Sequence, residues 1–170
     1  MREIEAKFLE IDSESVIARL NAIGAKKTFE GDIEAIYFDA KGRALRKAGI
    51  VLRLRKRGDS AELTLKKRIG VANAKIMEEM ESEVSDFREM RNILHGLGFR
   101  EIVKRKKRRT SYRLDGVNFE IDRIEGIPAY LEIEAPSVER IGEAAKLLGL
   151  DMKDSKPWAE GEVRKHYAKK

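Results

Sequence analysis

Nearly every segment of this chain that reads as extended alternates an apolar with a polar or charged residue. Ile4, Ala6 and Phe8 fall on one face of the first segment, and Glu3, Glu5 and Lys7 fall on the other. Leu52 and Leu54 oppose Arg53 and Arg55, while Leu63 and Leu65 oppose Glu62, Thr64 and Lys66. Further on, Phe119 and Ile121 oppose Glu120 and Asp122, and Leu131 and Ile133 oppose Tyr130, Glu132 and Glu134. A period of two over so many segments asks for strands with one apolar and one charged face.

The apolar faces have partners in the same sequence. Val16, Ile17, Leu20 and Ile23 form a helical stripe over residues 13–23, where Asp12 or Ser13 can cap and Gly24 can stop the helix. Phe87, Met90, Ile93, Leu94 and Leu97 form a second stripe over 86–97, and Val138, Ile141, Ala145 and Leu148 a third over 137–148. Strands are expected near 33–39, 50–57, 61–67, 76–84 and 102–114, with a short helical piece after Lys41 and a loop over 70–74. Gly58-Asp59 and Asp115-Gly116 read as hairpin turns, and Gly126-Ile127-Pro128 as a further turn. The order strand, helix, hairpin-joined strands occurs twice, the second time from near Glu78. The expectation is one α+β domain over residues 1–170, with eight antiparallel strands and three helices outside. The tail from Asp151 is expected to end in a short basic helix, with Trp158 as a packing anchor.

Charged residues make up 39% of the chain, well above the usual quarter, and that excess needs a place. On an open sheet the charged faces would simply meet water. They are, however, segregated by sign. Arg53, Arg55, Lys66, Lys107 and Arg109 form basic rows, and Glu3, Glu5, Glu79, Glu81, Glu120, Asp122, Glu132 and Glu134 form acidic ones. Eight strands suffice to close a barrel of small bore, and buried charges must be paired or hold a ligand. Arginine forks suit a polyphosphate, and carboxylates suit Mg²⁺ or Mn²⁺. The net charge of +6 favours anionic partners without choosing among them. Aromatic residues are only 6%, which argues against base stacking, so nucleic acid is not the expected partner despite the basic run from Lys104 to Arg109. His95 and His166 are expected on the surface, not as a metal pair. There is no cysteine, hence no disulfide framework or thiolate site. No apolar run spans a membrane, and a cytoplasmic location is expected.

Glu3-Ile4-Glu5-Ala6-Lys7 resembles the Glu-x-Glu-x-Lys signature of the CYTH family, the triphosphate tunnel metalloenzymes. Tyr37-Phe38-Asp39, Leu52-Arg53-Leu54-Arg55, Leu63-Thr64-Leu65-Lys66, Glu79-Met80-Glu81, Lys107-Arg108-Arg109, Ile121-Asp122 and Glu132-Ile133-Glu134 resemble later motifs of that family, in the right order. The resemblance covers roughly residues 1–150. It implies an eight-stranded antiparallel closed β-barrel with helices packed outside, and divalent-metal chemistry on a small triphosphate. Known members are triphosphatases and class IV adenylate cyclases. By resemblance, Lys7, Arg53, Arg55, Lys66, Lys107 and Arg109 bind phosphates. Glu3, Glu5, Asp122, Glu132 and Glu134 hold Mg²⁺ or Mn²⁺, and Glu79 and Glu81 are further tunnel acids. Glu5, Lys7 and Glu134 would act in catalysis. The favoured function is triphosphate hydrolysis. The alternatives are conversion of ATP to cyclic AMP and pyrophosphate, and a non-catalytic polyphosphate- or RNA-binding module. Homodimerisation is open. Two departures bear on lid contacts and substrate choice: Met77 stands where relatives often carry a base, and Ser155 is followed by Lys156-Pro157-Trp158.

Overall fold

A computed structural model of the chain describes the backbone of residues 2–71 and 75–168 and the side chains of residues 4–67 and 77–168. Among the described residues the elements run β1 (Arg2–Phe8), α1 (Ser13–Ala22), β2 (Lys26–Asp39), α2 (Ala44–Lys47), β3 (Ile50–Arg57), β4 (Ser60–Val71), β5 (Lys75–Val84) and α3 (Phe87–Gly96). They continue as β6 (Arg100–Leu114), β7 (Val117–Ile124), β8 (Ile127–Ala135), α4 (Val138–Leu147) and α5 (Glu160–Tyr167). This is the α+β class with eight strands. The three long helices are where the apolar stripes put them, and α2 and α5 are the short piece and the tail helix. Among the described residues, no helix is long and apolar enough to cross a membrane.

The chain forms two compact units. One comprises Gly31–Ile69 and Met77–Lys107; the other comprises Arg2–Glu30, Gly70–Ile76 and Arg108–Lys170. In the first, β3 pairs antiparallel with β2 and with β4. Its apolar face carries Ile36, Phe38, Leu52 and Leu54, covered by Leu94 with Phe87 and Met90 of α3 and Leu45 of α2. In the second, β7 pairs with β6 and β8, and β8 with β1, all antiparallel. Ile4, Ala6, Phe8, Phe119, Ile121, Leu131 and Ile133 pack there under Val16 and Leu20 of α1 and Ile141, Ala144 and Ala145 of α4. Each large apolar side chain contributes about 1.5–3 kcal/mol on burial, which binds the helices to the sheets. A smaller cluster joins Val163 of α5 to Tyr130 and Ile124, with Trp158 and Tyr167 packed on it. Trp158 is thus the anchor the sequence suggested.

The structure differs from the sequence reading in three places. Strand β2 begins at Lys26 rather than near Ile33, because residues 26–32 are mostly exposed and carry no apolar alternation to mark them. Strand β4 continues to Val71 through part of the expected loop; residues 72–74 of that loop lie outside the described residues. Ile127 and Pro128 belong to β8, and the turn before it is Glu125-Gly126, since Ile124 faces Ile127.

Candidate active site

In the second unit the polar side chains converge through the register of its hairpins. Asp115 (φ 46) and Gly116 (φ 78) both take left-handed backbone, the geometry of a two-residue hairpin loop, so Leu114 faces Val117. Counting back along both strands, Ser111 faces Glu120 and Arg109 faces Asp122. The next hairpin needs a correction. From Ile124 opposite Ile127, a regular ladder would place Glu120 against Leu131 and send Glu132 to the apolar side. A register shift between Asp122 and Ile124 sets Arg123 against two residues, Pro128 and Ala129, so Asp122 faces Tyr130 and Glu120 faces Glu132. Pro128 has no backbone N–H to give the ladder, which suits it to a bulge. On β1, Lys7 faces Glu132 and Glu5 faces Glu134.

The result is a buried ionic cluster. Asp122 is 0% exposed, and the Arg109 fork donates to its two oxygens, from Nε and Nη2, both at 2.6 Å. Arg109 also pairs with Glu120 and lies 3.7 Å from Glu132. The Lys7 ammonium, 2% exposed, pairs with Glu132 and with Glu5 at 3.2 Å. Burial works against the charge on Lys7, but the facing Glu132 and Glu5 carboxylates outweigh it and raise its pKa. Burial likewise opposes the Arg109 charge, and Asp122 and Glu132 overcome it. Burial pushes the Tyr130 phenol well above its ordinary value, helped by Asp122, Glu160 and Glu132, so it stays protonated and can donate. Among the described residues Tyr130 OH and Ser111 Oγ are buried without a hydrogen-bond partner. The backbones of Lys7 and Lys156 exchange hydrogen bonds of 3.0 and 2.8 Å, which ties the tail to β1.

The first unit carries a second cluster, less deeply set. Gly58 takes φ 59 in a two-residue turn that sets Arg57 against Ser60, hence Arg55 against Glu62 and Arg53 against Thr64. Glu62 pairs with Arg55 and lies 3.4 Å from Arg53, which reaches Thr64 Oγ1 at 3.2 Å. Glu81 accepts from Thr64 at 3.3 Å and lies 3.8 Å from Arg55, and Lys66 pairs with Glu79 at 3.0 Å. Alternation along β6 turns Arg105 and Lys107 to the half-buried side, with Lys104 and Lys106 exposed. The Arg105 guanidinium sits 4.7 Å over the Tyr37 ring.

Of the residues singled out in the sequence, Glu5, Lys7, Arg109, Asp122 and Glu132 meet in one cluster, with Glu134 opposite Glu5. Arg53, Arg55, Lys66, Glu79 and Glu81 lie in the other. The side chain of Glu3 lies outside the described residues. Asp39, the last residue of the Tyr37-Phe38-Asp39 motif, serves the fold: it accepts backbone N–H groups of Ala40, Leu45 and Arg46, covering the start of α2. Glu83 is exposed. His95 lies beside Glu101 at 2.9 Å, and His166 packs against Trp158. Glu62, Ser111 and Tyr130 carry no motif that would single them out. The hairpin arithmetic gives Glu62 and Ser111 their partners, but the bulge hides the partner of Tyr130.

Among the described residues no three acidic or histidine side chains form a ready metal cage. The donor set still fits a divalent cation. Glu5 faces Glu134, and Glu120 faces Glu132, so two strand pairs gather four carboxylates beside Lys7 and Arg109. Carboxylate oxygens are also the ligands Mg²⁺ and Mn²⁺ take.

A protein of Methanocaldococcus jannaschii, named as a candidate adenylate cyclase, is 32% identical over 151 residues, spanning 87% of this chain and 84% of its own. A conserved protein of Pyrococcus furiosus with no assigned function has a solved structure that superposes with a TM-score of 0.78 at 31% identity, over 95% of this chain and 99% of its own. The PH1012 protein of Pyrococcus horikoshii gives 0.79 at 28% identity, over 95% and 98%. The family model of the CYTH domain matches residues 1–155. The buried Glu5–Lys7–Glu132 group, the Arg109–Asp122 fork and that match lead to one conclusion: the chain belongs to the CYTH family and is an enzyme of that type.

Proposed function

We propose that this chain hydrolyses a triphosphate compound, inorganic tripolyphosphate or an organic or nucleoside triphosphate, in a reaction that depends on Mg²⁺ or Mn²⁺. Members of its family act as triphosphatases or as class IV adenylate cyclases. The observation that carries the reading is the pairing of bases with carboxylates on the polar strand faces, Lys7 and Arg109 in one unit and Arg53, Arg55 and Lys66 in the other. Phosphoryl transfer needs positioning and charge neutralisation more than a covalent nucleophile. In this reading Lys7, Arg53, Arg55, Lys66, Lys107 and Arg109 hold phosphate oxygens and spread the charge that develops on them. Glu3, Glu5, Asp122, Glu132 and Glu134 would hold the cation. When bound, the cation neutralises phosphate charge and lowers the pKa of a bound water. In this reading Glu5, beside Lys7, and Glu134, opposite Glu5, would accept a proton from water. The whole chain acts as one domain, and closure of its eight strands into a tunnel belongs to this proposal.

Cyclisation of ATP is the second reading, favoured by the name of the Methanocaldococcus jannaschii relative. The test of metal-dependent hydrolysis is orthophosphate release from tripolyphosphate with Mg²⁺ or Mn²⁺. Release that stops on chelation and returns with added metal supports it. Release unaffected by chelation contradicts it.

A further inference from the structure

The bases of the first unit are already occupied, and by a group that the family motifs do not include. Glu62 lies directly across β3 and β4 from Arg55, and its Oε1 contacts Nη2 of both Arg53 and Arg55. One carboxylate oxygen thus sits where a phosphate oxygen bridging the two arginines would sit. Glu62 cannot swing far, since its side chain is only 16% exposed and its strand is held by neighbours in the ladder. Glu81 is different. It is 44% exposed, accepts from Thr64 at 3.3 Å and reaches Arg55 only at 3.8 Å.

We propose that Glu62 is a built-in counter-anion: it holds Arg53 and Arg55 in place while no ligand is bound, and yields them to a phosphate-type oxyanion as the Glu62–Glu81 carboxyl pair takes up a proton. The proposal rests on the phosphate-binding reading of Arg53 and Arg55. An arriving oxyanion takes the arginines and leaves two carboxylates facing one another without their cations. Like charges at such range do not both stay ionised. The charge balances if one proton leaves the buffer and lodges between the two carboxyls. The groups facing Glu81 are Glu62 and Thr64 of β4 and Arg53 and Arg55 of β3, while on its own strand Glu79 is tied to Lys66. Burial and then Glu62 already raise the Glu81 pKa, and Arg55 and Arg53 only partly offset this. Occupying those arginines removes the offset and raises it further.

The experiment is calorimetric titration of the full chain with inorganic tripolyphosphate, free of divalent metal, near neutral pH in buffers of different ionisation enthalpy. The wild-type chain is expected to take up a fraction of a proton per tripolyphosphate bound. Glu62→Gln removes the competing charge, so binding should tighten about tenfold and proton uptake should vanish. Glu81→Gln should abolish uptake with a smaller change in affinity, and it serves if Glu62→Gln does not fold. A residue that merely orients the arginines would weaken binding when replaced. Weaker or unchanged binding in Glu62→Gln, or uptake that persists in Glu81→Gln, overturns the proposal. Binding by wild type without any proton uptake also overturns it and leaves phosphate binding standing. No binding at all removes the phosphate reading of these arginines, and the proposal with it.

Discussion

The two ionic clusters are made of the same residue types and differ in how deeply they are set. Around Arg109 and Lys7 the charges are almost fully buried: Arg109 is 4% exposed, Lys7 2% and Asp122 0%. Around Arg55 the side chains of Arg53, Arg55 and Glu62 are 13–16% exposed and that of Glu81 44%. Burial makes the first cluster part of the fold's own stability, because a buried charge that loses its partner keeps its desolvation cost. The second can exchange partners at less cost. Two clusters of one chemistry therefore differ in how readily their charges can change partners.

The sharpest way to break this comparison is in the register that the bulge sets. Inserting one alanine between Tyr130 and Leu131 slides the rest of β8 by one place, which sets Leu131 against Glu120 and turns Glu132 and Glu134 toward the apolar core. The expected result is loss of measurable turnover together with a cooperative unfolding transition much weakened or absent, read by circular dichroism and phosphate release. Full activity in the insertion variant would show that this register does not set the site. Arg109→Ala comes next. It strands Asp122 and should cost about 3–5 kcal/mol in denaturant unfolding as well as turnover. Arg55→Ala should cut turnover about a hundredfold yet cost less stability than Arg109→Ala, since Glu62 keeps Arg53 beside it and Glu81 is 44% exposed. Equal stability losses in these two variants would erase the distinction between the clusters.

The smallest effect concerns Glu101 of the first unit, paired with Arg91, His95 and Lys104. The hydrogen bond from Arg91 is the main cause that holds its carboxyl down to about 2, with His95 and Lys104 adding to it. A carboxyl depressed in the folded state stabilises above its unfolded value, near 4.5, and that contribution is lost as pH falls toward about 2. The melting temperature of Glu101→Gln should therefore lie below wild type at pH 6 and meet it near pH 2. A gap that does not change with pH would show that the pair carries no net charge effect.

Much of this is legible in the chain. Alternation marks β1, β3, β4, β7 and β8, and the helix stripes name what covers them. The turns at Gly58-Asp59 and Asp115-Gly116 carry the pairings Arg55–Glu62 and Arg109–Asp122, because a two-residue loop leaves one register. Two things are not legible. The exposed half of β2 has no core face, so nothing in its residues records that it is a strand. The bulge at Pro128 shifts the ladder by one, and a shift of one inverts which face a residue serves. A proline near a turn signals irregular backbone, but not which side of the hairpin takes the extra residue. Asp39 shows the reverse case: a buried acid at a strand end looks available for a ligand, and backbone N–H groups use it.

Metal-dependent hydrolysis of a triphosphate is decided by separating the products. The chain would be incubated with Mg²⁺ or Mn²⁺ and, in turn, ATP, thiamine triphosphate and inorganic tripolyphosphate. Orthophosphate, formed fastest from tripolyphosphate or from one organic triphosphate, is the predicted result. Cyclic AMP with pyrophosphate from ATP, or no product from any of the three with either metal, would contradict it.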